Sequence, residues 1–455
     1  MNNWIVIYEL YSKAVEKVCA TVQPYLDYSL TCTGNPKSYV FKDFNYISLR
    51  IDKSLSGYRI KVGKSEHNNE NQCIELIAKD DVNLLYAAAD FKNKYLPYAK
   101  NADQTGPKFY FNDLFKEPMK EYDREFSPRI ERRGLWSWGF VIFDYKRYID
   151  NMVSLKLNTL IIWNDFPPVN SDEIISYAHE RGVKIYFGFA WGWDNKCEEN
   201  ETVLNAMNNP DKLTDEVLDT YEKQYAKLDL DGIYFQSFTE MKTSDRAGIP
   251  IAEAVTKFVN NTVSKFFDKF GEKEIMFGLH ATSVKDKLDV IAKVDSRVSI
   301  IWEDCGAFPY DYIPKNTEGF EETLDFTRKI RDLRSGGFGV VLKGLTCLDW
   351  GRFKHQCGEF ALGVQEPDML QKRAEQKNEI WKYVQAWWLA NAGYAYDTVK
   401  QFNSDSVVTM LAEDGAFESQ IPYPMALLSE MLWDSNGNLG ELMCETALRE
   451  DVTFA

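Results

Sequence analysis

Short apolar runs alternate with helix-like segments from Arg133 onward, and this alternation limits the possible folds more than any other feature of the sequence. Each run is four to seven residues long, and the segment after it has the periodicity of an amphipathic helix. Strands spaced in this way form a parallel sheet with both faces covered. The predicted strands are Gly134–Gly139, Thr159–Trp163, Lys184–Ala190, Gly232–Phe235, Glu274–Leu279, Val298–Trp302 and Gly339–Leu342.

A closed barrel needs an eighth strand, for which Phe360–Val364 is the best match, before a predicted helix over Asp368–Ala392. Seven or eight units in sequential order favour a closed barrel over an open doubly wound sheet. No GxGxxG or GxxxxGK[ST] motif follows a strand, so a nucleotide site has no support. The predicted fold class is α/β, a (β/α)8 TIM barrel preceded by a small α+β domain and followed by C-terminal helices.

The chain length allows such a barrel together with additional segments at both ends. A barrel takes roughly 250 residues, and the chain has 455. Residues 1–110 alternate strand-like and helix-like patterns without a motif for chemistry, and are predicted to form the N-terminal α+β domain. The barrel is predicted over residues 130–395, and residues 396–455 as a helical extension packed on it.

Functional groups of such barrels lie at the C-terminal ends of the strands and in the loops that follow. Carboxylates, tryptophans and other polar side chains stand at these positions in this sequence. The candidate catalytic residues are Glu240, Asp304 and Glu303. The candidate substrate-binding residues are Trp136, Trp138, Trp163, Asp165, Trp191, Trp193, Asp194, Gln236, His280, Trp302, Lys343, Asp349, Trp350 and Arg352.

The tryptophans among these candidates indicate a sugar as the ligand. Seven of the twelve tryptophans stand at the predicted strand ends. An indole face stacks on the apolar C–H face of a sugar ring, while Asp, Asn and His bind its hydroxyl groups. The alternative is that the tryptophans fill the top of the barrel core.

The carboxylates indicate glycoside hydrolysis, which needs a protonated carboxyl to assist the leaving oxygen and a carboxylate as nucleophile or base. Glu240 follows the fourth strand and is the natural acid, with Phe235 and Phe238 as its expected surroundings. Glu303 or Asp304 after the sixth strand is its predicted partner. Alternatively, Glu240 caps the next helix or pairs on the surface, and the other two are loop charges.

Five segments carry a resemblance to a known group of enzymes: Val82–Phe91, Arg133–Leu135, Tyr148–Met152, Leu155–Thr159 and His179–Lys184. Together they resemble the family 20 β-hexosaminidases and the family 67 α-glucuronidases. The resemblance implies an N-terminal α/β domain, a (β/α)8 barrel and glycosidase activity.

The resemblance is weaker at the catalytic strand. Family 20 enzymes place an Asp-Glu pair at the end of strand four, whereas Thr239 precedes Glu240 here. Family 67 enzymes have a lone Glu after that strand and acidic partners further along. Only the acid role is therefore carried over, onto Glu240.

The expected function is that of an exo-acting glycoside hydrolase that cleaves a terminal sugar from an oligosaccharide or glycoconjugate. One alternative is a catalytically inactive carbohydrate-binding protein on the same scaffold, because a fold does not determine a function. A second is a β-N-acetylhexosaminidase with a non-standard strand-four motif. A barrel lyase or isomerase would need a metal or a lysine base, for which Lys343 is the obvious strand-end residue.

The net charge of −16 argues against nucleic acid and anionic membranes as partners. No run of about 18 apolar residues predicts a transmembrane helix. The N-terminus lacks a secretory signal pattern, and the eight cysteines include no CxxC pair, which favours a cytoplasmic location. We therefore expect a carbohydrate substrate, no metal and no cofactor, while the oligomeric state stays open.

Overall fold

The computed structural model has an N-terminal six-stranded sheet followed by a closed eight-stranded barrel, and its C-terminal helices contact both units. The predicted fold class is therefore confirmed. The structure describes residues 4–23, 31–33, 42–98, 119–138, 141–164, 166–192, 208–305, 319–345, 358–412, 417–433 and 437–455.

The N-terminal sheet has the strand order β2-β1-β3-β5-β4-β6. Its β4 runs antiparallel to both β5 and β6, while the other neighbouring strands are parallel. The strands are β1 (Trp4–Tyr8), β2 (Thr31–Thr33), β3 (Asn45–Ile51), β4 (Tyr58–Lys64), β5 (Gln72–Ala78) and β6 (Tyr122–Phe126). The helices are α1 (Lys13–Val22) and α2 (Asp81–Asp90), the latter continued by a π-helix over Phe91–Tyr95.

The position of β6 corrects the predicted end of the N-terminal domain at residue 110. Strand β6 completes the sheet beside β4, with Tyr58 opposite Phe126, so the domain extends to Phe126. The strand sequence is YDREF, in which three charged residues stand between two aromatic ones at the edge of the sheet. Charged residues on an edge strand protect it from pairing with other chains, and they also hide its strand character in the sequence.

The barrel closes because β14 pairs with β7 as well as with β13. All its strands are parallel, in sequential order. They are β7 (Arg132–Trp138), β8 (Thr159–Trp163), β9 (Lys184–Ala190), β10 (Gly232–Gln236), β11 (Glu274–Leu279), β12 (Val298–Cys305), β13 (Phe338–Leu345) and β14 (Val407–Ala412). The helices that follow β6 are α3 (Tyr145–Ser154), α4 (Ser171–His179), α5 (Pro210–Gln224), α6 (Ile251–Phe270), α7 (Leu288–Ile291), α8 (Phe320–Arg331), α9 (Pro367–Val399), α10 (Tyr423–Trp433) and α11 (Leu439–Ala447).

The eighth strand is not Phe360–Val364 as predicted, but Val407–Ala412. This segment, VVTMLA, is wholly buried and rich in β-branched residues, as a strand covered on both faces requires. Residues 358–366 have no regular secondary structure and instead run across the loops after β7 and β8. There, the amides of Val169 and Tyr145 donate to the carbonyls of Phe360 and Gly363.

The true eighth strand also moves the domain boundary. The 33-residue helix α9 lies between β13 and β14, so it belongs to the barrel. The barrel therefore extends beyond residue 395, to Ala412, and residues 396–455 are not a purely helical extension. Among the described residues, no helix combines the length and apolar character that crossing a membrane requires.

Buried charges join the N-terminal domain, the barrel and the C-terminal helices. Lys156, two residues after the end of α3, lies 2.7 Å from Glu430 in α10 and 3.0 Å from Asp90 in α2. Its φ of 59° is in the left-handed region, which is unusual for a residue other than glycine. We call the following group the junction cluster: Asp90, Lys94, Lys156, Glu430, Arg449 and Asp451.

Candidate active site at the carboxyl end of the barrel

Inward-facing side chains at the ends of four consecutive strands meet around one carboxylate. Because side chains alternate along a strand, Tyr234 and Gln236 of β10 both point into the barrel, as does Glu303 of β12. His280 follows β11, and Lys343 lies in β13. We call these five residues, Tyr234, Gln236, His280, Glu303 and Lys343, the carboxylate cluster.

Glu303 accepts hydrogen bonds from three of the other members. Gln236 Nε2 lies 2.7 Å from its Oε1 and 2.6 Å from its Oε2, and the hydroxyl of Tyr234 donates to Oε1. His280 Nε2 lies 2.7 Å from Oε2. Only 3% of Glu303 is exposed, so these contacts replace the water that a carboxylate would otherwise bind.

Glu303 is therefore held in its ionised form. Burial alone would raise its pKa, but His280, Lys343 and the hydrogen bond from Tyr234 outweigh burial and keep the pKa below its ordinary value. Such a group is a poor proton donor near neutral pH. It is suited to stabilising positive charge or to acting as a base or nucleophile.

Two irregular strand pairings accompany this cluster. The pairing between β12 and β13 shifts between Trp302 and Cys305, and that between β13 and β14 shifts between Leu342 and Leu345. These irregularities enclose Glu303 and Lys343, respectively. Bulges of this kind re-aim side chains and are frequent next to active sites.

Gly278 provides the space in which Glu303 and Tyr234 meet. A Cβ atom at position 278 would lie 2.0 Å from Glu303 Oε1 and 2.3 Å from Tyr234 Oη. No side chain fits there without displacing at least one of them. In the sequence, Gly278 is recognisable only as part of a strand. A glycine is required there because side chains from the neighbouring strands occupy the space of a Cβ atom.

The Gly278→Ala variant is expected to lose about 1–3 kcal/mol of the free energy of unfolding, since the added methyl overpacks a buried site. Gly63→Ala is the matched control: Gly63 also lies in a strand, and its Cβ would meet no atom within 4 Å. Urea denaturation of both variants measures the difference. Equal midpoints for the two variants would contradict the proposed crowding at Gly278.

The predicted tryptophans divide into two groups. Trp136, Trp138 and Trp163 lie inside the barrel, each less than 5% exposed. The rings of Trp136 and Trp163 are stacked 6.4 Å apart, and each meets the ring of Tyr234 edge-on at 6.2 Å. These three tryptophans lie beneath the carboxylate cluster and fill the top of the barrel core, which is the alternative interpretation given above.

The substrate-binding role predicted for Trp191 and Trp302 is wrong, because both rings point out of the barrel. Trp191 stacks on Phe235 at 3.8 Å, and Trp302 packs edge-on against Phe326 of α8 at 5.3 Å. Both are fully buried between the strands and the helices. A position at the end of a strand does not reveal whether its side chain points into or out of the barrel. That direction depends on which alternate residues of the strand face inward.

Glu240 lies on the expected end of the barrel but not in the expected surroundings. It ends a 3₁₀ turn, Phe238–Glu240, directly after β10, and it is exposed. Phe235 faces outward, so the predicted apolar enclosure of Glu240 is wrong. The turn itself is fixed, because the hydroxyl of Ser283 donates to the carbonyl of Thr239 at 2.7 Å.

Several predicted residues cannot be placed in the site. The backbone of Asp304 belongs to β12, but its side chain lies outside the described part of the structure. The following predicted residues lie wholly outside the described ranges: Asp165, Trp193, Asp194, Asp349, Trp350 and Arg352.

Sequence reasoning missed Tyr234 as a member of the site. Its position two residues before Gln236 places it on the same face of β10, which is the signal that could have identified it. Gln236, His280, Glu303 and Lys343 were predicted, and the structure brings all four together.

No protein-family model and no curated protein matches the chain. Among solved structures, a mutant Streptomyces plicatus β-hexosaminidase in complex with GlcNAc is 12% identical, with a TM-score of 0.42, over 80% of this chain and 75% of that one. The Bacillus megaterium spore cortex-lytic enzyme SleL is 14% identical, with a TM-score of 0.40, over 75% of this chain and 81% of that one. A Thermobaculum terrenum O-GlcNAc hydrolase mutant is 10% identical, with a TM-score of 0.41, over 70% of this chain and 63% of that one.

Sequence identities this low do not show which substrate this chain binds or which mechanism it uses. The closed (β/α)8 barrel of this chain is established by its own strand pairing.

Proposed function

We propose that the protein is an exo-acting glycoside hydrolase with its active site at the carboxylate cluster. The observation that carries this proposal is the buried carboxylate of Glu303, which contacts Tyr234, Gln236 and His280 at the carboxyl end of the barrel. Glycosidase transition states carry positive charge on the sugar ring, and an ionised carboxylate nearby stabilises that charge.

Glu240 is the proposed acid that protonates the leaving oxygen. It stands after β10, the strand that supplies Tyr234 and Gln236, on a turn fixed to the next loop. Its exposure to solvent allows it to regain a proton after each turnover. Glu303 is the proposed partner carboxylate, and Asp304 is the alternative from the same strand.

The Glu240→Gln variant tests the acid role. We expect kcat to fall about 10²-fold on glycosides with poor leaving groups, because general acid catalysis contributes at least this much. The loss should be much smaller on activated aryl glycosides, whose leaving groups need no proton. The measurement is kcat over a leaving-group series that includes N-acetylhexosaminides and uronides.

The matched control is Glu272→Gln, which removes an exposed carboxylate just before β11, at the opposite end of the barrel. It should leave kcat unchanged. An equal loss across the whole leaving-group series for Glu240→Gln would assign Glu240 a positioning role and contradict the proposed proton transfer.

The second candidate function is a carbohydrate-binding protein without catalysis. One observation favours it: both oxygens of Glu303 already accept hydrogen bonds, and the side chain is almost fully buried. Under this alternative, the wild-type protein turns over no glycoside in the panel, and calorimetry detects sugar binding that Glu303→Gln weakens.

A further inference from the structure

The outward face of helix α9 lacks the charges that cover an ordinary surface helix. The 14 residues from Tyr383 to Tyr396 include no Asp, Glu, Lys or Arg, in a chain that is 27% charged. The opposite side of the helix is apolar too, with Trp381, Val384 and Trp388 buried against the rest of the protein. A helix that is apolar on all sides is normally buried.

The exposed part of this face is continuous. Positions three and four apart lie on one side of a helix, and the exposed positions of α9 follow that spacing. Tyr383 is 51% exposed and Leu389 46% exposed. We call the following residues the α9 face: Tyr383, Ala386, Leu389, Ala390 and Gly393.

Charged residues flank the α9 face at both ends. Their order is such that each acidic position on one side matches a basic position at the same distance on the other side. Toward the N-terminus, Lys382 Nζ lies 2.7 Å from Glu379 Oε1; toward the C-terminus, Lys400 Nζ lies 3.7 Å from Asp397 Oδ1. All four residues are exposed. Glu379 and Lys400 are equally distant in sequence from the midpoint between Leu389 and Ala390, and so are Lys382 and Asp397.

We propose that the α9 face is the contact between two copies of this chain, related by a two-fold axis near Leu389 and Ala390. In such an isologous contact, each residue meets its symmetry-related counterpart. Antiparallel pairing of the two helices places Glu379 opposite Lys400 and Lys382 opposite Asp397. The same pairing places Ala386 opposite Gly393. The smallest residues of the two helices therefore face each other, which allows the backbones to approach closely.

The shape of the helix limits the size of this contact. Asn391 has a non-helical φ of −120° and ψ of 20°, so α9 bends close to the proposed axis. The bend shortens the length over which two such helices can run side by side, and a single helix pair buries less than the roughly 800 Å² per partner of a standard interface. We expect a dimer that dissociates at micromolar concentrations.

The test is the molar mass of the full chain by light scattering after size-exclusion chromatography, over about 1–300 µM. The wild-type protein should pass from monomer to dimer within this range. Leu389→Glu should raise the dissociation constant at least 10-fold, because it places two like charges at the axis. Leu10→Glu is the matched control: Leu10 is 83% exposed in the N-terminal domain, so this variant should dimerise as the wild type does.

A charge exchange tests the antiparallel register. Lys382→Asp alone should weaken the dimer, and Lys382→Asp combined with Asp397→Lys should restore it. A wild-type protein that stays monomeric over the whole range overturns the proposal, as does a Leu389→Glu variant that dimerises like the wild type. Failure of the double variant to restore the dimer overturns the antiparallel pairing.

Discussion

Glu303→Gln is expected to lower kcat by about 10³–10⁴-fold on every glycoside that the protein cleaves, the upper part of the range for carboxylate acid–base catalysis. The amide carries no charge to stabilise the sugar cation and cannot act as a base or nucleophile. Its NH₂ group would also face donors on Gln236 or His280, which now meet carboxylate oxygens. Steady-state kinetics over the leaving-group series measures the loss.

Activated leaving groups should not rescue Glu303→Gln, in contrast to Glu240→Gln, because the roles proposed for the two carboxylates concern different atoms of the substrate. Near-normal turnover by Glu303→Gln would remove this residue from the mechanism. Circular dichroism of the variant separates a catalytic loss from a failure to fold.

The pH dependence offers a milder test of the same carboxylate. The hydroxyl of Tyr234 helps to keep the pKa of Glu303 low, so Tyr234→Phe should raise that pKa. If Glu303 must be ionised for activity, the acidic limb of the pH–rate profile should move to higher pH in this variant. If the acidic limb lies at the same pH in Tyr234→Phe and in the wild type, a group other than Glu303 determines its position.

Glu430→Gln is expected to lower the free energy of unfolding by about 3–5 kcal/mol, the usual cost of leaving a buried charge without its partner. Lys156 and Arg449 are almost wholly buried, and both contact Glu430, at 2.7 and 2.8 Å. Neither can turn to solvent when the carboxylate is removed. Chemical denaturation at neutral pH measures the change.

Glu66→Gln is the control for this variant. Glu66 pairs with Lys61 at 3.6 Å, but its side chain is 83% exposed. Exposed pairs contribute less than about 1 kcal/mol, so this variant should unfold like the wild type. A loss for Glu430→Gln no larger than that of the control would contradict the structural role of the junction cluster.

The effect of Glu430→Gln should also depend on pH. Burial opposes ionisation of Glu430, but Lys156, Lys94 and Arg449 outweigh it and lower the pKa of this carboxyl. A lowered pKa stabilises the fold above the ordinary carboxyl pKa, and this contribution disappears as the pH falls toward the lowered value. The difference between the variant and the wild type should therefore be full at neutral pH and should shrink below about pH 4.5.

Local sequence patterns accounted for much of the barrel. The seven predicted strands are all present, because buried parallel strands are short, apolar and bounded by turns, and each of these properties is local. The strand ends also led to Gln236, His280, Glu303 and Lys343, since parallel strands bring their carboxyl ends to one side of the barrel. The eighth strand was missed because the long helix α9 separates it from the seventh.

The pattern of apolar and polar residues is enough to predict the alternation of strands and helices, and therefore which residues end the strands. Which of these side chains face one another follows only from the packing of the strands against each other. The outward rings of Trp191 and Trp302, the exposure of Glu240 and the space left by Gly278 all depend on strands that are distant in sequence. The same is true of Glu303, whose charge is stabilised by donors from β10 and from His280 and by the positive charge of Lys343. Burial, hydrogen bonding and pKa are properties of the packed neighbours, and a single segment does not contain them.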